Sequence, residues 1–111
     1  MSKVMVGRRC RHYLISGRVQ GVGFRRFVEN QAQKFGVAGR VRNLDDGRVE
    51  VLACGDENQM CEFDALMRRG PLHAAVSHVD CHDVQASAAV VADLTGFSIV
   101  EDGGTPWSIK S

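Results

Sequence analysis

From about residue 9 to residue 16 apolar and polar residues alternate, with Tyr13 and Ile15 on one face and Leu14 on the other. That period of two predicts a strand. From Phe24 to Phe35 the period changes: Phe24, Phe27, Val28, Ala32 and Phe35 recur at helical spacing, and Gly36 stands where a helix closes in the left-handed conformation. Two further alternating stretches, Val37–Leu44 and Arg48–Cys54, flank Asp45-Asp46-Gly47. Asp-Gly between such stretches predicts a hairpin. A second helix is predicted after Asp56, which with Gln59 has the form of a capping box; its stripe is Met60, Phe63, Leu66 and Met67, and Gly70-Pro71 stops it. A strand over roughly 76–85, with Val79 and Cys81 inward, and a short one from Phe97 to Val100 complete the pattern. Ala86–Asp93 consists mostly of small residues and reads equally as a loop or a bulged strand.

The order β-α-β-β-α-β predicts an α+β fold, a ferredoxin-like sandwich. Two helices cover one face of a mostly antiparallel sheet, and a short extra strand follows at the C-terminal end. A chain of 111 residues supports one core. The domain is read as 9–101, after an extension over 1–8 and before a tail over 102–111. The tail is expected to be mobile unless Trp107 docks.

Composition narrows the function by exclusion. A net charge of +1 gives no global field to recruit nucleic acid or an anionic membrane. Arg48–Cys54 also lacks the aromatics with which an RNA-binding sheet of this topology stacks bases. No apolar run approaches the ~20 residues of a membrane span. No apolar stretch follows the basic N-terminal residues, so no secretory signal is expected and a cytoplasmic location is the default. A monomer is the default too. The cysteines at 10, 54, 61 and 81 form no C-x-x-C pair and are expected to be free, mostly buried thiols. His78 and His82 share a strand face ~13 Å apart, too far to hold one ion. No metal and no cofactor are expected. Asp45, Asp46, Glu50 and Asp56 read as solvated or capping, so no carboxylate pair offers acid–base chemistry.

Two features remain. Gly17-Arg18-Val19-Gln20-Gly21-Val22-Gly23-Phe24-Arg25-Arg26 joins the first strand to the first helix, with glycines at 17, 21 and 23. It is neither a Walker A loop nor a dinucleotide fingerprint. Arg25 and Arg26 open a helix whose N-terminus already carries about +0.5 of a charge, and no acid precedes Glu29 to offset them. Spacing alone fits a tight strand-to-helix turn with solvated arginines equally well; the cations at that helix end favour an anion the size of one phosphate, held by loop amides and an arginine. The second feature is Asn43. Period two sets it with Val37, Gly39 and Val41 on the apolar side of its strand, with Arg40 and Arg42 on a face expected to be wet. Its carboxamide either bonds the local turn or serves a site.

The residues Gly17-x-Val19-Gln20-Gly21-Val22-x-Phe24-Arg25, then Gly39-x-Val41-Arg42-Asn43-x-x-x-Gly47-x-Val49-Glu50, then Gly70-Pro71 with Ala74, Val76 and Val79, resemble the acylphosphatase family over roughly 9–100. The resemblance implies metal-free hydrolysis of small acyl phosphates to carboxylate and inorganic phosphate. It implies that Arg25 is the phosphate-binding catalytic arginine, and that Asn43 holds the attacking water. Gly17, Arg18, Val19, Gln20, Gly21, Val22, Gly23 and Phe24 are then the phosphate-binding stretch. Arg26 receives no role from it, and Arg18 reads as a surface residue of the loop. Arg40 stands where the family often has an aromatic, and Gly103–Ser111 runs past the family's usual end. Two alternatives stay open: a non-catalytic anion-binding module of the same fold, and a domain that handles carbamoyl phosphate.

Overall fold

The computed structural model describes residues 8–109, so most of the expected 1–8 extension lies outside the described residues. Its strands are β1 (Arg9–Arg18), β2 (Ala38–Asn43), β3 (Val49–Gly55), β4 (Ala75–Val84) and β5 (Phe97–Ile99). Its helices are α1 (Phe24–Phe35), α2 (Glu57–Arg69) and the short α3 (Ala89–Ala92). The sheet runs β4-β1-β3-β2-β5, antiparallel except where β5 lies parallel to β2. This is the expected α+β sandwich with its extra edge strand. Among the described residues no helix is long and apolar enough to cross a membrane.

One row of residues shows how the pleat builds the core. Cys81, Tyr13, Val51, Val41 and Ile99 are successive register partners across all five strands. Tyr13, Val51 and Val41 are fully buried. Against this face α1 lays Phe24, Val28 and Ala32, and α2 lays Met60, Phe63 and Met67. The helix ends follow their signals. Gln59 N–H donates to Asp56 Oδ1 at 2.8 Å, and Asp56 N–H donates to Gln59 Oε1 at 2.7 Å. Gly36 closes α1 in the left-handed region at φ 73°.

The opposite face departs from expectation. Ala86–Asp93 is neither a simple loop nor a bulged strand: it contains α3, whose Val91 packs with Ala88 onto Cys10, Leu52 and Cys54. Cys10 and Cys54 are not free thiols but a disulfide between register partners on β1 and β3, 4.1 Å apart at Cα. Cys61 and Cys81 remain free.

The arginine face is not wet either, and Glu50 is not solvated. Glu50 is fully buried and accepts from His12 Nε2 at 2.6 Å, Arg42 Nε at 2.8 Å and the Trp107 N–H at 2.7 Å. Burial by itself would raise the Glu50 carboxyl. The hydrogen bonds from His12, Arg42 and the Trp107 amide outweigh it and hold the group below its usual range. An ionised carboxylate only accepts, which assigns the shared proton to His12 Nε2.

The cover is the tail, in which Trp107 docks. Gly103 N–H donates to Asn43 C=O at 3.1 Å, Asp45 N–H to Gly103 C=O at 2.9 Å, and Arg42 Nη2 to Thr105 C=O at 2.7 Å. Trp107 and Ile109 then pack onto the cluster around Leu52 and the disulfide.

Candidate active site

The site begins with a bulge. The β1–β4 register shifts between Ser16 and Gly17, and β1 continues to Arg18, two residues past its predicted end. Gly17 has φ 123°, and a Cβ there would run into the Ala75 carbonyl oxygen. Its glycine is required by the close approach of β4.

Beyond Arg18 the chain turns into α1. Val19 is buried. Gln20 Nε2 donates to Leu44 C=O at 2.8 Å and to Arg48 C=O at 2.9 Å, which ties the loop to the β2–β3 hairpin and so fixes it relative to Asn43. Gly21 and Gly23 adopt φ 74° and 79°, and a Cβ on either would meet nothing within 4 Å. What they supply is the left-handed backbone.

Gly23 is the N-cap of α1, with no side-chain cap and no acid in the first turn. The first backbone bond runs from Phe27 N–H to Gly23 C=O. The amides of Phe24, Arg25 and Arg26 therefore lack intrahelical acceptors and carry the positive end of the helix dipole.

A cavity of about 250 Å³ opens at this end of the sheet, lined by Val19, Gly21, Gly23, Phe24, Arg25, Arg26, Asn43 and Ile99. Arg25 Nη1 contacts Asp102 Oδ1 at 3.3 Å, and both side chains are partly exposed. An acid thus lies beside Arg25 after all, delivered from the tail. Asn43 Oδ1 is buried with no hydrogen-bond partner, so the turn-bonded alternative for this carboxamide is not adopted. A buried acceptor left open in this way costs roughly 1–3 kcal/mol unless something donates to it.

Of the residues singled out in the sequence, Val19, Gly21, Gly23, Phe24, Arg25 and Asn43 meet around one cavity. Gly17 and Arg18 belong to β1, Gln20 is occupied by the hairpin carbonyls, and Val22 packs against the core. Ile99 and Asp102 were not foreseen. Ile99 arrives because β5 pairs in parallel with β2, setting it opposite Val41. Asp102 arrives because the chain beyond β5 bonds to Asn43. Neither has a local signal. Arg26, noted at the helix start without a role, is part of the lining. The lining contains no carboxylate, imidazole, hydroxyl or thiol. It offers donors and one acceptor, suited to holding an oxyanion and orienting a small polar molecule, but no nucleophile and no strong base.

Fold and lining together define a ferredoxin-like α+β domain with two arginines and an asparagine around one cavity. A model of the acylphosphatase family matches residues 11–99. The chain is 47% identical over 94 residues to an acylphosphatase of Pseudomonas paraeruginosa (strain DSM 24068 / PA7), which spans 85% of this chain and 98% of that one. An acylphosphatase structure from Coxiella burnetii superposes with a TM-score of 0.80 at 34% identity, covering 90% of this chain and 100% of that one. Full-length HypF in its phosphate- and nucleotide-bound form superposes at 0.75 and 30% identity, over 86% of this chain but 12% of that one. The chain belongs to the acylphosphatase family.

Proposed function

We propose that this chain hydrolyses the carboxyl–phosphate bond of small acyl phosphates, with Arg25 and the amides from Gly21 to Arg26 holding the phosphoryl group and Asn43 positioning the water. The observation that carries this reading is Asn43, which lines the same cavity as Arg25 and the uncapped start of α1 and whose Oδ1 is buried without a hydrogen-bond partner. An acceptor there takes an O–H from water and leaves a water lone pair to attack.

The chemistry suits the lining. The leaving group is a carboxylate that needs little protonation, so no general acid is required. What must be supplied is charge stabilisation on the phosphoryl oxygens and an in-line nucleophile. The guanidinium fork and the helix-start amides provide the first, and water held by Asn43 is the second. The water oxygen bonds to phosphorus as the bridging P–O bond breaks. The water proton passes to a phosphate oxygen of the substrate, since no lining side chain can take it.

Steady-state hydrolysis of benzoyl phosphate in the presence of EDTA tests the reading, with inorganic phosphate as competitor. Turnover with competitive inhibition by phosphate is expected. In ¹⁸O-water one label should enter phosphate and none the carboxylate. Phosphate binding without turnover would leave only an anion-binding module. Carbamoyl phosphate, run alongside, separates a general acyl phosphate specificity from a narrow one.

A further inference from the structure

We infer that Asp102 is a positioning residue of this site, which aims the Arg25 guanidinium at the phosphoryl group from outside the cavity. The inference rests on the proposed role of Arg25 and adds a residue to it.

Arg25 is hard to hold by its own means. Its side chain is long, 40% exposed, and set at the helix end that repels cations. A free guanidinium there would sample many rotamers and lose them on binding substrate. One carboxylate oxygen corrects this. Asp102 Oδ1 accepts from Arg25 Nη1 at 3.3 Å and from the Asn43 backbone N–H at 3.2 Å. The acid therefore couples the arginine to the residue whose carboxamide faces the cavity.

Asp102 itself sits on a fixed backbone. The next residue, Gly103, is bonded on both sides to the end of β2, through Asn43 C=O and Asp45 N–H. A Cβ on Gly103 would meet Arg42 Nη1, the end of a side chain already held by Glu50 and the Thr105 carbonyl. A two-torsion side chain on such a backbone makes a short, stiff tether.

The geometry also separates aiming from blocking. Arg25 and Asn43 line the cavity, and Asp102 does not. A carboxylate inside the cavity would compete with phosphate; one outside it leaves the cavity open. Among the described contacts Asp102 engages only Nη1, and the other donors of the guanidinium fork stay free for a ligand.

The test uses Asp102→Asn, Asp102→Ala and Asp102→Glu, with Arg25→Ala as reference. The pair is half exposed and adds little to fold stability, so these variants should melt as the parent does. Asp102→Asn and Asp102→Ala are expected to lower kcat/KM for benzoyl phosphate about tenfold and to raise the inhibition constant of inorganic phosphate. Asp102→Glu is expected to recover part of the loss, which a general loss of packing would not allow. Parent-like kinetics in Asp102→Asn and Asp102→Ala, beside an inactive Arg25→Ala, would overturn the inference and leave the role of Arg25 intact. Tighter phosphate binding in Asp102→Ala would overturn it as well, by making the acid a competitor. Parent-like activity in Arg25→Ala would remove the reading underneath.

Discussion

The guanidinium carbon of Arg42 lies 4.2 Å from the centre of the Trp107 ring, on the sheet face opposite the two long helices. The same guanidinium donates to Glu50, and Glu50 accepts the Trp107 amide. A tryptophan thus roofs an ion pair and hydrogen-bonds to it. Burying a carboxylate and an arginine is costly, and the arrangement holds because Glu50 has a partner on each side. His12 supplies the third, so β1, β2, β3 and the tail meet at one carboxylate.

Trp107→Ala removes the roof and wets the pair. We expect a loss of about 1–3 kcal/mol in urea unfolding, from lost apolar contact and lost cation–π attraction. Trp107→Phe should recover much of it, because the Trp107 contact with Glu50 comes from the backbone.

Acid should weaken the fold through two carboxylates. Glu50 and Asp64 are both held below their ordinary values of 4.5 and 3.8. For Asp64, burial pulls upward, while Arg68, the Tyr13 hydroxyl and Arg11 together pull further down. A depressed carboxyl lends stability that is fully present above its unfolded value and is lost as pH falls through its folded value. Urea midpoints should therefore hold from pH 7 to about 5 and drop below about 4. Glu50→Gln should cost about 3–5 kcal/mol at pH 7, by leaving Arg42 without its charge partner. Its deficit against the parent should shrink in acid; a constant deficit would show that the ionised state of Glu50 is not the source.

Asn43→Ala should uncouple binding from turnover. We expect kcat to fall by about 10²–10³ while the inhibition constant of inorganic phosphate stays within about threefold of the parent. Equal losses in both would make Asn43 a phosphate ligand.

Arg25→Lys keeps the charge and loses the fork. A kcat/KM nearer to Arg25→Ala than to the parent is expected, because an ammonium cannot engage two phosphoryl oxygens in the same plane. Full activity in Arg25→Lys would mean that point charge alone suffices.

The Cys10–Cys54 disulfide closes a span of 44 residues. Unfolded without reductant, the chain should show only Cys61 and Cys81 to a thiol reagent. Reduction should cost about 2–4 kcal/mol. Four reactive thiols in the unreduced chain would contradict the bridge.

What was legible in the sequence followed local rules. Periodicity located the strands and the two long helices, and the capping box and Gly36 located helix ends. Arg25 and Asn43 stood out because each violates a local preference, a cation at a helix start and a carboxamide on an apolar face. What was missed depends on contacts across the sheet. Glu50 and Arg42 read as wet because alternation reports two faces without saying what covers them, and the cover lies 57 residues from Glu50 in Trp107. Cys10 and Cys54 become neighbours only once the β1–β3 register is known. Asp102 reaches the site by backbone bonds of the tail to β2, which its own side chain does not announce.

The strand order has a consequence for how the molecule comes into being. β1 lies between β3 and β4, and its partners run as far as Val84 opposite Cys10. As the polypeptide leaves the ribosome, the first strand must wait for most of the chain before its second edge is matched. A nascent chain arrested near residue 70 would expose one flank of its β1–β3 ribbon, and pairing with that late partner is a long-range step in reaching the native form.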